Sequence, residues 1–498
     1  MSIFYHEPST MNHEQNNLMT RIISTFKRTS LLGILLLTAI CSTVKAQQVI
    51  TLQKAVDLTL ANNLTIKQAV VTESLAVEDV KQSKYNQLPT ASANPTAGYG
   101  FGRTPVAGNY AYTNQTIFNV NGTASVAFTI FQGGQLRNQI LQNKIALDVD
   151  KTSTAKVKND LLLNVVTDYL QILTNQDLVI AANQQIDIAK ITLDRTQKNF
   201  DVGSQSLADL SQAKAGLSTA EYNLTTAQNQ LDLAILVLKQ YMEMDPNTAI
   251  KVEKPDISKL NDVKTAYDPN DVIKTALGVN PDVRLAEQQQ DGYAQAIKVA
   301  RGNYFPTISL FGGIGSNYSS ISQNLTGIAT IDQQVGVVQG TTTPVIGQFQ
   351  SPVYASKYPF FNQFGNNLNQ SIGVSLQIPI FNRFTARTSV RKAKLSYENA
   401  QVTTQLAKNT LSKTIFQAVQ DLNAAVKQYA SAQQTYQADK DAFEVIQQRY
   451  NVGLVNSLDY NTSLTNYQKA ENDMIEAKYT VVFRSKVIDY YLGNQITL

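Results

Sequence analysis

The sequence predicts a mostly α-helical chain with a small set of β-strands, built twice over. Three observations carry this. Gly and Pro vanish from two long runs, 135–199 and 382–452. Four segments between helical stretches change to a strict two-residue alternation. The same phrases recur in the same order about 220 to 250 residues later, which marks an internal duplication.

The 498 residues begin with Arg21, Lys27 and Arg28 ahead of the apolar run Leu31 to Ile40, and "TVKAQQ" offers a small-residue cleavage site after Ala46. This predicts a secretory signal peptide over 1–46. A transmembrane anchor is the alternative, but the apolar run is too short to span a bilayer. A lipoprotein signal at Cys41 is a third reading, which the bulk of Ile40 opposes. Cleavage removes His6, His13 and Cys41, the chain's whole stock of His and Cys, and Trp is absent throughout. A Ser-His-Asp triad, a Cys nucleophile, a disulfide framework and an ordinary zinc site are then excluded. No carboxylate pair stands out as a hydrolase centre, so neither an enzyme nor a cofactor is expected. The net charge of +4 leaves no footprint for nucleic acid.

The first repeat is expected over 47–270 and the second over 271–498, with 243–270 as irregular structure between them. That seam carries Pro246, Pro255 and Pro269. "LQKAVDLTLANNLTIKQA" from Leu52 resembles "DVIKTALGVNPDVRLAEQ" from Asp271, and both read as a short and a medium helix. A proline follows each, Pro89 in "QLPTAS" and Pro306 in "YFPTIS", and there the strands begin. Ala91, Ala93, Pro95, Ala97, Tyr99 and Phe101 alternate with Thr90, Ser92, Asn94, Thr96, Gly98 and Gly100. Val120, Ala124, Val126, Phe128 and Ile130 alternate with Asn121, Thr123, Ser125 and Thr129. Similar patterns place strands at about 90–103, 119–131, 306–316 and 370–380, joined by long polar loops at about 103–118 and 317–369.

Each hairpin leads into a run of roughly 65 to 70 residues, enough for a helix of about 100 Å. Ile415, Val419, Leu422, Val426, Tyr429, Tyr436, Phe443, Ile446 and Tyr450 give the later run a coiled-coil seam. The runs stop at "NFDVGSQSLADL" and "RYNVGLVNSLDY", where Gly203 and Gly453 suit tight helix-to-helix turns. Return helices are expected at about 206–242 and 456–491.

Strands with one apolar face and one small, polar face fit either a soluble sandwich or a membrane barrel. Gly, Ser, Thr and Asn, rather than Lys and Glu, fill the polar face, which favours the barrel. Tyr99, Phe101, Phe128, Phe131, Phe381 and Phe384 read as a lipid girdle or as an apolar plug at the strand–helix junctions. Four strands cannot close a membrane barrel, and an open edge in lipid leaves backbone groups unsatisfied. A barrel therefore demands further copies of the chain.

The two-fold repeat, the Pro-Thr steps into the strands, the exit "IFQGG" and the two Val-Gly turns with a following Asp together resemble the outer membrane efflux protein family, the TolC-like channels. The resemblance spans about 50 to 492. It implies a homotrimer whose four strands per chain close a 12-stranded transmembrane barrel in the outer membrane, with the long helices forming an α-helical tunnel in the periplasm. It further implies a periplasmic adaptor at the turns and an inner-membrane pump of the RND or ABC type, with the chain as a passive exit duct. Val202, Gly203, Val452, Gly453 and Leu454 match the adaptor-contact turns. Asp459 matches an aspartate of the periplasmic constriction, and Asp209 with Tyr450 matches a pair that holds the tip shut. The archetype's latch arginine falls at Val455 here, and its second constriction aspartate at Thr462. A purely local reading of Asp209 and Asp459 stays open, since each sits three residues after a capping candidate, Ser206 or Asn456. The rival function is a structural or adhesive coiled-coil surface protein, which leaves the four strands unexplained.

Overall fold

A computed structural model describes residues 48–105, 112–255, 264–355 and 357–494; the expected signal peptide lies outside them. In chain order the elements are β1 (Gln48–Ile50), α1 (Leu52–Asn62), α2 (Leu64–Tyr85), β2 (Thr90–Pro105), β3 (Tyr112–Gln132), α3 (Gln135–Asp201), α4 (Leu207–Tyr241) and β4 (Ile250–Val252). They continue as α5 (Pro269–Val279), α6 (Pro281–Arg301), β5 (Thr307–Ser319), β6 (Leu325–Val337), β7 (Pro344–Tyr354), α7 (Phe360–Asn366), β8 (Asn369–Gln377), α8 (Thr385–Asn451) and α9 (Ser457–Leu492). The two glycine-free runs are single helices of 67 residues each. The chain divides into two compact units.

Among the described residues, one unit holds those up to Leu64, 158–272 and those from 416 onward. Its core gathers Tyr169, Ile172 and Leu173 of α3, Leu238 of α4 and the adjoining Met242, all essentially inaccessible. Each such aliphatic side chain contributes about 1.5–3 kcal/mol by leaving water. The segment 243–270 is not irregular throughout, as its prolines suggested. Its Ile250–Val252 forms β4, paired in parallel with β1. Burial of Ile50, Ile250 and Val252 drives this, and the Tyr169 hydroxyl pins the strand ends by donating to the carbonyls of Glu253 (2.6 Å) and Ile50 (3.3 Å).

The other unit holds 65–157 and 273–415. Its sheet has the order β2-β3-β5-β8, antiparallel throughout, so that the two hairpins of the repeat join through β3 and β5. Pro89 and Pro306 each stand immediately before a strand. Pro95 lies inside β2, which among the described residues has a sheet neighbour on one side only; a residue without an N–H is tolerated at such an edge. A bulge between Thr129 and Phe131 shifts the register against β5, pairing Phe128 with Leu310 and Phe131 with Ile308. Both rings thereby stay with the apolar set despite their odd spacing.

Several boundaries differ from expectation. The first loop is much shorter than 103–118, because the β2–β3 ladder continues to Pro105 and Tyr112. Backbone pairing outlasts the apolar alternation there, helped by Gln115 donating to Thr104 (2.8 Å) and by Arg103 lying 5.0 Å from the Tyr112 ring centre. The segment 317–369 is not a plain loop. It contains the separate β6–β7 hairpin and the helix α7. The last strand ends at Gln377, short of Ile378 to Ile380, which lead to a corner where Arg383 and Phe384 take positive φ. The duplicated corner after β3 does the same with Gly133 and Gly134.

Candidate functional site: the paired helix turns

Each long helix ends in the same turn. Gly203 (φ 78°) donates its N–H to the Phe200 carbonyl at 2.9 Å, and Ser204 donates to that of Asn199 at 2.8 Å. Gly453 (φ 76°) and Leu454 repeat both bonds to Tyr450 and Arg449. This is the left-handed helix end that glycine permits at no steric cost. The next helix starts at once. Ser206 caps α4 in a reciprocal box with Asp209, and Asn456 caps α9 by accepting from the Asp459 N–H at 2.8 Å.

The fold brings the two turns together. The Ser457 hydroxyl donates to Asp209, which also accepts from the Ser206 N–H (3.1 Å) and hydroxyl (2.7 Å). Ser457 first, and then Ser206, hold this carboxyl below the usual carboxylate range, so it is ionised throughout the neutral region. Tyr450 accepts at its hydroxyl from the Gln205 amide (3.1 Å) and stacks on Tyr460, with centroids 4.5 Å apart. Tyr460 in turn shares a hydrogen bond with Thr192 (3.0 Å) and packs near Phe443. The pairing of Asp209 with Tyr450 implied by the resemblance is therefore not made within one chain; each has another partner.

Sequence reasoning missed Arg195. Its guanidinium, on α3, donates to the carbonyls of Tyr450 (3.0 Å) and Asn451 (2.5 Å) and to the Asn451 side chain. It also lies over the Tyr450 ring, 5.2 Å from the centroid. One signal for it existed. Eight residues before the turn glycine, one repeat has Arg195 and the other Val445, a break in the duplication.

Val202, Val452 and Leu454 are 78%, 71% and 75% exposed, and Leu207 and Leu458 beside them are exposed as well. So much bare aliphatic surface on one pair of turns marks a place for a partner. Asp459 is exposed in the first turn of α9.

Comparison with known proteins decides the family. The model of the outer membrane efflux protein family matches residues 55–242 and 272–494, nearly all the described chain and both repeats. The chain belongs to the outer membrane efflux protein family. It is an outer membrane efflux channel of the Gram-negative type, and the reading as a structural or adhesive surface protein is not supported. Among the family's proteins, Escherichia coli "Outer membrane protein TolC" is 23% identical over 444 residues, covering 87% of this chain and 80% of TolC. "Toxin and drug export protein A" of Aggregatibacter actinomycetemcomitans is 21% identical over 442 residues, covering 86% and 83%. Among solved structures, the CmeC outer membrane channel of Campylobacter jejuni shares the fold with a TM-score of 0.71 at 19% identity, covering 89% of this chain and 85% of CmeC.

Proposed function

We propose that three copies of this channel close one twelve-stranded barrel and pass cargo through it without chemistry of their own. The observation that carries this is the sheet itself. Among the described residues, β2 and β8 each lack a partner on one side, and bare strand edges do not persist in lipid. The strands suit a membrane in size. Phe118 to Phe128 spans ten residue steps of β3, roughly 34 Å along the strand, or about 26 Å for a tilt of about 40°, close to the ~25 Å apolar band of such barrels. Two copies would give eight strands, whose interior side chains fill. Three give twelve, and the small inward set of Thr96, Gly98, Thr123, Ser125 and Gly313 supports an open lumen.

In this reading Val202, Gly203, Val452, Gly453 and Leu454 dock a periplasmic adaptor, and an inner-membrane pump of RND or ABC type supplies the energy. The channel is thus a conduit and not an enzyme. Native mass spectrometry of detergent-extracted protein is expected to give a trimer, and electron microscopy a hollow particle. A monomeric mass for folded material defeats the proposal.

Asp209, Tyr450 and Asp459 belong to the gate. Three Asp459 side chains around a three-fold axis repel one another by roughly 1 kcal/mol per pair at 4 Å in water, and more where solvent is restricted. Such a ring is relieved by a cation and resists anions. In planar bilayers, Asp459→Asn is expected to reduce cation selectivity and block by multivalent cations. Parent-like selectivity and block in that variant would leave Asp459 a helix-start residue only.

A further inference from the structure

The helix α7 reverses the arrangement expected in water. Its Gln363 is completely buried, while Phe361 is 84% exposed. Three of its seven residues, FFNQFGN, are Phe and none is charged.

The polar half of the helix completes the sheet. β8 pairs with β5 only as far as Gly315. Beyond that point Asn317 and Ser319 still turn backbone groups toward the side where β8 would continue. The Gln363 side chain takes both groups of Ser319, donating to its carbonyl at 3.1 Å and accepting from its N–H. Asn367 donates to the Asn317 carbonyl at 2.8 Å. The Ser316 hydroxyl donates back to the Phe364 carbonyl. A helix thus stands in for the missing end of a strand and leaves these edge groups paired, as an apolar setting requires.

The aromatic half lies on the apolar face. Phe364 sits over Gly122, where a Cβ would come within 3.0 Å of the ring. Gly122 shares its face of β3 with Val120, Ala124 and Val126. The Phe364 contact lies over the inner strands β3 and β5, while Gln363 and Asn367 hold the edge of β5 that β8 leaves open. Neighbouring rings run across the sheet at this level, from Tyr99 to Phe118 (4.8 Å), Tyr318 (6.2 Å), Phe360 (5.0 Å) and Phe364 (5.4 Å). Phe361 extends the row outward from Phe360.

We infer that α7 is a lipid-facing foot, resting its Phe360 and Phe361 in the headgroup boundary of the outer membrane at the end of the barrel remote from the helices. The inference rests on the barrel reading, because continuity with the apolar face is what selects lipid over water or protein. Aromatic rings collect at that boundary in membrane barrels. The foot widens the girdle at the one level where β8 leaves the wall a strand short.

The chain has no Trp, so Phe361→Trp supplies a single reporter in the full protein reconstituted in phosphatidylcholine vesicles. Its emission is expected to be blue-shifted. It should lose most of its intensity to lipids brominated near the headgroup, and little to aqueous iodide. Quenching by iodide alone overturns the inference in favour of an aqueous loop. Shielding from both quenchers overturns it in favour of a protein partner. Val126→Trp, on the same apolar face of β3, separates the two readings. If it too escapes brominated lipid, the barrel reading has failed; if it is quenched while Phe361→Trp is not, only the foot is wrong.

Discussion

Arg195→Ala is expected to produce a channel that stands open much more often than the parent in bilayer recordings. The guanidinium ties α3 to the end of α8 through three hydrogen bonds and lies over the Tyr450 ring. Hydrogen bonds from a charged donor contribute about 1.5–3 kcal/mol, and the ring contact about 0.5–1 kcal/mol at a partly exposed site. On the gate reading proposed above, in which these contacts hold the closed form, even one such bond together with the ring contact is about 2–4 kcal/mol, which moves the closed-to-open ratio by roughly one and a half to three orders of magnitude. Arg195→Lys keeps the charge but not the fork that reaches two carbonyls at once, so it should be intermediate. Tyr450→Phe deletes only the bond from Gln205 and should shift the ratio by about tenfold or less. The family resemblance puts its latch arginine at Val455 here, and we propose that Arg195 serves that need from another helix. Parent-like opening in Arg195→Ala would reduce Arg195 to a packing residue.

The second large effect lies at the duplicated corner. Gly133→Ala is expected to lower thermal stability steeply or to abolish assembly. An added Cβ would stand 2.3 Å from the Gly302 carbonyl oxygen and 2.9 Å from its Cα, at φ +56°. The left-handed backbone costs an alanine about 1 kcal/mol and overpacking against backbone about 1–3 kcal/mol more. The matching position in the second repeat is Arg383, held at φ 53° without being glycine. Arg383→Gly is therefore expected to act in the opposite direction, raising stability by about 1 kcal/mol. Thermal melts of the detergent-solubilised protein compare the pair. A loss of stability in Arg383→Gly would show that its exposed side chain compensates the strain.

Much of this fold is written in residue patterns. Period and glycine content placed α3, α4, α8 and α9 to within about three residues, because a long helix carries its signal many times over. Strand pairing inside the repeat was visible for the same reason. β1 and β4 were not, since three residues cannot display a period and the prolines around β4 pointed to a loop. α7 escaped because its pattern is inverted: Gln363 faces inward and Phe361 outward, the reverse of the rule applied to a soluble helix. At the turns, Gly203, Gly453 and the capping pairs were legible as local grammar. Arg195 was not, because its partners lie 255 and 256 residues away and no local motif announces such a bond.

The two turns also differ in what their aspartates are bound to, and that difference has an evolutionary reading. Duplication placed a carboxylate in the same first-turn position twice. In the first copy, Asp209 is fully engaged, closing the box with Ser206 and holding Ser457. In the second, Asn456 caps the helix alone, and the carboxylate of Asp459 has no hydrogen-bond or ion-pair partner among the described residues. The structural duty thus rests on the first copy alone, and the second carboxylate is free of it. A side chain freed in this way can change without unfolding its helix. Selection for different cargo therefore has a position to act on in the second repeat that the first no longer offers.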